Sequence, residues 1–141
     1  MKHRKVLTLI ALIIILLCSC GGNTGPQWTA DQVIVAFQSA NLEAESISPL
    51  TKDDYGLAPY VCTGIHFLIP SLCPDCGGRV FACDSQADQD KLEEFYVTMG
   101  QESALFFSWV HTKDNILVQI NGDLPEDQAQ QYQTALNNLQ P

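Results

Sequence analysis

The chain has 141 residues, a formal net charge of −9, six cysteines and 46% hydrophobic residues, which fits one domain with a short appendage. The acidic balance excludes a nucleic-acid partner, because affinity for a phosphate backbone needs a basic face. With no Gly-X-Y period, no long heptad run and high apolar content, the collagen-like, coiled-coil and disordered classes are excluded as well.

The elements begin with an export signal. Lys2, Arg4 and Lys5 precede an apolar run from Val6 to Leu17 that is broken only by Thr8. A basic start followed by such a run reads as a secretory signal peptide, and it is shorter than the roughly 20 apolar residues of a spanning helix. The next four residues, Leu17-Cys18-Ser19-Cys20, resemble the lipobox of bacterial lipoproteins: an aliphatic residue, two small residues and a cysteine. The resemblance implies that residues 1–19 are removed and that Cys20 is lipidated, since the diacylglyceryl group joins through a thioether. Cys18 does not fit that role, because Leu17 would stand where a small residue is needed. The implied location is the bacterial cell membrane, lipid-anchored and facing outside the cytoplasm. Loss of three basic residues leaves four, Lys52, Arg79, Lys91 and Lys113, against sixteen acids, so residues 20–141 carry −12. A body of that charge is repelled by anionic headgroups, which leaves the lipid as the membrane contact.

Residues 20–28 form a Gly-rich lipidated tether, and residues 29–141 are expected to form a single globular domain. Thr29, with Gln32 three residues later, predicts a capping box and opens a helix with Val33, Ile34, Phe37 and Ala40 on its apolar face; Asn41 suits its C-terminal end. A short strand is expected around Ala44 to Ile47, then a loop from Thr51 to Pro59. Tyr60 to Ile69 alternates as a strand, with Ile65 and Phe67 on one face and Cys62 and His66 on the other. Arg79 to Cys83 is its hairpin partner across a long Pro- and Gly-rich tip, with His66 opposite Arg79. Asp84 or Ser85 caps the next helix, whose inner face is Leu92, Phe95, Tyr96 and Met99 and which Gly100 is expected to stop. Ala104 to His111 and Asn115 to Asn121 form a second hairpin through Thr112-Lys113-Asp114. A turn at Lys113-Asp114 sets Trp109 against Val118, Phe107 against Ile120, and Ser108 near Gln119 on the opposite face. Pro125, between Asp123 and Glu126, starts a last helix with a stripe of Ala129, Tyr132, Leu136 and Leu139. The expected class is α+β: a mainly antiparallel sheet from two hairpins, with about three helices packed on one face. The stretch Phe106–Leu139, with DDYGLAPY upstream, is similar to small, uncharacterised bacterial lipoproteins, a likeness that implies no activity.

Four cysteines, Cys62, Cys73, Cys76 and Cys83, gather on the first hairpin. Cys73-Pro-Asp-Cys76-Gly-Gly is similar to a zinc-ribbon knuckle, and Cys62 and Cys83 could complete a four-thiolate zinc site. Hairpin partners have nearly constant position sums, however, so the pairs Cys62/Cys83 and Cys73/Cys76 are nested. The seven steps from Cys76 to Cys83 cover about 23 Å if extended, too far for four sulfurs each about 2.3 Å from one metal. Nesting suits two disulfides, the default outside the cytoplasm. A redox-active Cys73–Cys76 pair is the third reading, although Asp75 raises a neighbouring thiolate's pKa and no helix N-terminus is there to lower it.

Few other residues suggest chemistry. His66 and His111 read as sheet histidines, and Glu43, Glu45, Asp53 and Asp54 as a solvated acidic face without EF-hand spacing. Phe106, Phe107 and Trp109 either line a ligand groove or pack in the core. There is no G-x-S-x-G, phosphate loop, H-E-x-x-H or dinucleotide fingerprint. The functional expectation is a non-catalytic domain that binds a protein or small-molecule ligand or supports an envelope assembly, with no cofactor. The alternative is a thiol–disulfide redox or zinc-binding protein using Cys73 and Cys76.

Overall fold

A computed structural model describes residues 25–141; the signal-peptide and Cys20 expectations fall outside the described residues. The elements in chain order are helix α1 (Ala30–Ser39), strand β1 (Glu45–Pro49), a 3-10 turn (Lys52–Tyr55), β2 (Thr63–Leu68), β3 (Gly77–Ala82), α2 (Gln86–Glu102), a 3-10 turn (Ala104–Phe106), β4 (Ser108–Lys113), β5 (Ile116–Asn121) and α3 (Glu126–Asn137). The five strands form one antiparallel sheet in the order β1-β2-β3-β5-β4. The class is α+β, as expected.

Local chemistry accounts for the boundaries. Thr29 and Gln32 make the reciprocal capping box of α1, and Asn41 leaves that helix at φ 58°, a conformation asparagine tolerates better than most residues. Ser85 caps α2 by accepting from the Asp88 amide. Every residue of β1 is exposed, and its register shifts between Glu45 and Ser48. A bulge of this kind, with Pro49 at the end, blunts an edge that could otherwise recruit another strand.

Alternation along the strands builds two cores on one sheet. The first face carries Ile65, Phe67, Val80, Ile116, Val118 and Ile120, covered by Val33, Ile34 and Phe37 of α1 and Ala129, Tyr132 and Leu136 of α3. Phe37 and Phe67 are completely buried, each burial contributing roughly 1.5–3 kcal/mol, and both rings pack against Tyr132. The second face carries Phe81 and Leu117, covered by Leu92 and Tyr96 of α2 and by Tyr55. The helices therefore do not share one face: α1 and α3 lie on one side and α2 on the other. The neighbours Val80 and Phe81, both 0% exposed, point to opposite sides, so the sheet needs a cover on each.

Two further expectations are corrected. The second hairpin pairs Trp109 with Ile120 and Lys113 with Ile116, two residues away from the expected register. Its turn is Asp114-Asn115, with Asp114 at φ 50°. A slip of two preserves the faces. Lys113 is held in the strand because its Nζ donates to the carbonyls of Asn137 and Leu139, at 2.7 and 2.8 Å. Gly100 does not stop α2, which runs two residues beyond it. Its place inside the helix suits close approach instead, since a Cβ there would lie 3.3 Å from Phe107 Cα.

Candidate functional site

The β2–β3 hairpin places the four cysteines at its two ends. Thr63 pairs with Ala82, so Cys62 and Cys83 stand one step beyond the strand ends and are joined with Cα atoms 4.5 Å apart. Both are buried. Tyr55 donates its hydroxyl to the Cys62 carbonyl, and the Cys83 amide donates to the Asn115 carbonyl at 2.9 Å. At the tip, Cys73 and Cys76 are joined with Cα atoms 5.0 Å apart. The Cys76 carbonyl accepts from the Ile69 amide at 2.8 Å, and Asn121 Nδ2 lies 3.6 Å from Cys76 Sγ. The sulfurs form two nested pairs rather than one cluster, and no group of three or more metal-binding side chains occurs among the described residues.

The larger opportunity lies on the second face of the sheet. There β3 presents Phe81 to the α2 core and then Arg79, flanked by His66 on β2 and Gln119 on β5. Tyr96 and Met99 of α2 overhang this row, and the Ala104–Phe106 turn brings Leu105, Phe106 and Phe107 to its rim. The result is a cleft of about 500 Å³, within the size range of small-molecule sites. Leu57 (85% exposed), Leu105 (90%), Phe106 (56%) and Phe107 (41%) make its mouth conspicuously apolar. A smaller hollow adjoins it, shares Arg79, Gln119 and Asn121, and extends to His66 and Asp75.

Arg79 dominates the electrostatics. Lys91 pairs with Asp88 at 2.8 Å, the ion pair found among the described residues, and Lys113 is occupied by the carbonyls at the end of α3. Half-buried Arg79 has a neutral partner instead: its Nη1 donates to Gln119 Oε1 at 3.2 Å. Its Nε is enclosed without an acceptor, as is the Ser108 hydroxyl at the cleft wall. Burial, reinforced by the Arg79 guanidinium, holds His66 below the usual histidine pKa. Burial pushes Tyr55 up to about 12, and Tyr96 upward as well, with Arg79 pulling both the other way. The Thr51 hydroxyl and amide hold Asp54 below the usual carboxylate range, with a smaller contribution from Arg79.

Sequence reasoning placed His66 opposite Arg79 and set Ser108 and Gln119 on one face, and the structure has both. The aromatic run divides: Phe106 and Phe107 reach the cleft, whereas Trp109 leans on the first core and donates its Nε1 to the Leu124 carbonyl at 2.9 Å. Of the expected acidic face, Glu43 is tied to the Ser71 amide and Asp54 to Thr51. Tyr55, Leu57 and Leu105 were not singled out as site residues. The available signal was large apolar residues in segments that otherwise read as loop. Comparison with protein-family models, with curated proteins and with solved structures finds no significant match.

Proposed function

We propose that this protein is a lipid-anchored, extracytoplasmic binding domain, without catalytic activity, that holds a small ligand in the cleft over Arg79. The observation that carries this reading is a half-buried guanidinium with no carboxylate partner among the described residues, at the base of an apolar-walled cleft. The lipobox at Leu17–Cys20 supports the anchor. Two disulfides suit an oxidising compartment. Binding is favoured over acyl transfer because the Ser108 hydroxyl at the cleft wall has no base bonded to it among the described residues. The polarity of the domain also fits. Trp28, where the tether enters, exchanges two hydrogen bonds with Asn115 at one end of β5. Asn121 and Asp123 line the cleft at the other end, about 20 Å from Asn115 along the strand, so the mouth would open away from the bilayer.

Metabolic labelling with palmitate tests the anchor: label should enter the wild-type chain and disappear in Cys20→Ala, and label that persists in the variant refutes it. A second reading, thiol–disulfide exchange at Cys73–Cys76, is favoured by the partial exposure of Cys73 at the hairpin tip, its partner Cys76 being buried like Cys62 and Cys83. Thiol counting under graded reductant separates the two. Reversible appearance of two thiols while Cys62–Cys83 stays closed supports exchange chemistry, and none below denaturing conditions removes it.

A further inference from the structure

The atoms at the base of the cleft specify the ligand more closely, given the reading of the cleft as a binding site. The unmet polar groups there are donors. Arg79 spends Nη1 on Gln119 and also hydrogen-bonds the Tyr96 hydroxyl, both neutral partners, and its Nε meets no acceptor among the described residues. Gln119 turns its Oε1 to Arg79, which leaves its amide NH2 without an acceptor. Ser108 adds an enclosed hydroxyl at the wall with no partner among the described residues. An ionised carboxylate only accepts, and its bonds to a guanidinium are charge-assisted. Among the described residues the cleft lining holds one cation, Arg79, in a chain of net charge −9, with Asp123 at the wall of the same cleft. Arg79 can pair directly with one negatively charged head, while Asp123 at the wall and Asp54, which feels the same guanidinium, repel further negative charge and so disfavour a polyanion. Above the head, Leu105, Phe106 and Phe107 offer apolar surface that stays exposed without a ligand, and contiguous exposed apolar surface beside a cleft marks a place of contact.

We infer that the cleft binds an amphipathic monocarboxylate, its head on the Arg79 guanidinium and the Gln119 amide and its apolar tail along Leu105, Phe106 and Phe107. The pairing couples charge and apolar area in one ligand, so neither half alone should bind well.

The test uses the full chain in lipid nanodiscs, with empty discs as the blank and titration calorimetry as the readout. The probes are 4-phenylbutyrate, its neutral counterpart 4-phenyl-1-butanol, and butyrate as a head without a tail. The acid should bind at least about tenfold more tightly than the alcohol, the usual worth of a hydrogen bond to a charged group. Butyrate should not bind measurably. Arg79→Met should bring acid and alcohol to the same affinity, and Arg79→Lys should keep part of the difference; thermal melts establish that both are folded. Leu105→Asp, at a position 90% exposed, should weaken acid and alcohol alike. Equal binding of acid and alcohol, both lost in Leu105→Asp, overturns the carboxylate and leaves the cleft as a binding site. Binding of butyrate as tight as that of phenylbutyrate overturns the tail. Absence of binding by both phenyl probes overturns the inference together with the assignment of the cleft.

Discussion

Removing the two disulfides separately should have unequal effects that follow from the loops they close. Cys62–Cys83 spans a sequence separation of 21, and Cys73–Cys76 a separation of 3. In the chain-entropy model the loss of unfolded-state freedom grows with the logarithm of loop length, which gives about 3 kcal/mol for the outer bridge and about 1.6 kcal/mol for the inner one. The inner bridge lies within the outer loop and shortens it too little to change the logarithm appreciably. Cys62 and Cys83 are 7% and 1% exposed, so their truncation also removes packed sulfur and the outer figure is a lower bound. For a domain of this size 1 kcal/mol corresponds to about 4 °C. Cys62→Ala/Cys83→Ala should therefore melt at least about 12 °C below the wild type, and Cys73→Ala/Cys76→Ala about 6 °C below. Thermal denaturation at fixed pH, with circular dichroism as the probe, measures both. Equal losses for the two variants, or a larger loss for the tip, would refute the loop-entropy reasoning for this hairpin.

Asn115, 4% exposed, bonds both backbone groups of Trp28, at 2.7 and 2.9 Å; Asn115→Ala should cost about 2–3 kcal/mol in urea denaturation and expose Trp28, seen as a red shift in fluorescence. Gly78→Ala should cost about 1–3 kcal/mol by overpacking, because its Cβ would lie 2.6 Å from the Gln119 carbonyl and 2.7 Å from the Phe67 ring; an unchanged melting temperature would contradict that contact. Burial holds both His66 and His111 below the usual histidine pKa. Between that ordinary value, about 6.5, and the lower folded values, the unfolded chain binds more protons. Stability should thus be full above pH 6.5 and fall as the pH drops through it. His111→Leu should flatten the decline in denaturation curves recorded from pH 7 to pH 5.

Much of the fold was legible because its cues are local. The Thr29–Gln32 capping box involves neighbours on one turn. The β2–β3 register follows from alternation plus a constant position sum, and it placed His66 opposite Arg79 and nested the cysteine pairs. The second hairpin was misread by two residues because its turn answers to distant partners. Trp28 grips Asn115 from 87 positions away, and the end of α3 draws Lys113 into the strand. Gly100 was read as a stop, a local rule, whereas its reason for being there is the approach of Phe107 across the α2–β4 connection.

The residue order alone determined what depends on near neighbours: a basic-then-apolar start, an α+β succession of elements, the sheet faces and the nesting of the cysteines. Only the tertiary structure decided which side of the sheet each helix covers. An amphipathic stripe states that a helix has an apolar face but not where that face docks, and with α2 alone on the second face part of that face stays open. The cleft exists for that reason. Arg79 reads in sequence as an ordinary polar strand residue; it becomes the base of a site once α2 and the Leu105–Phe107 segment fold over it while no carboxylate among the described residues forms an ion pair with it.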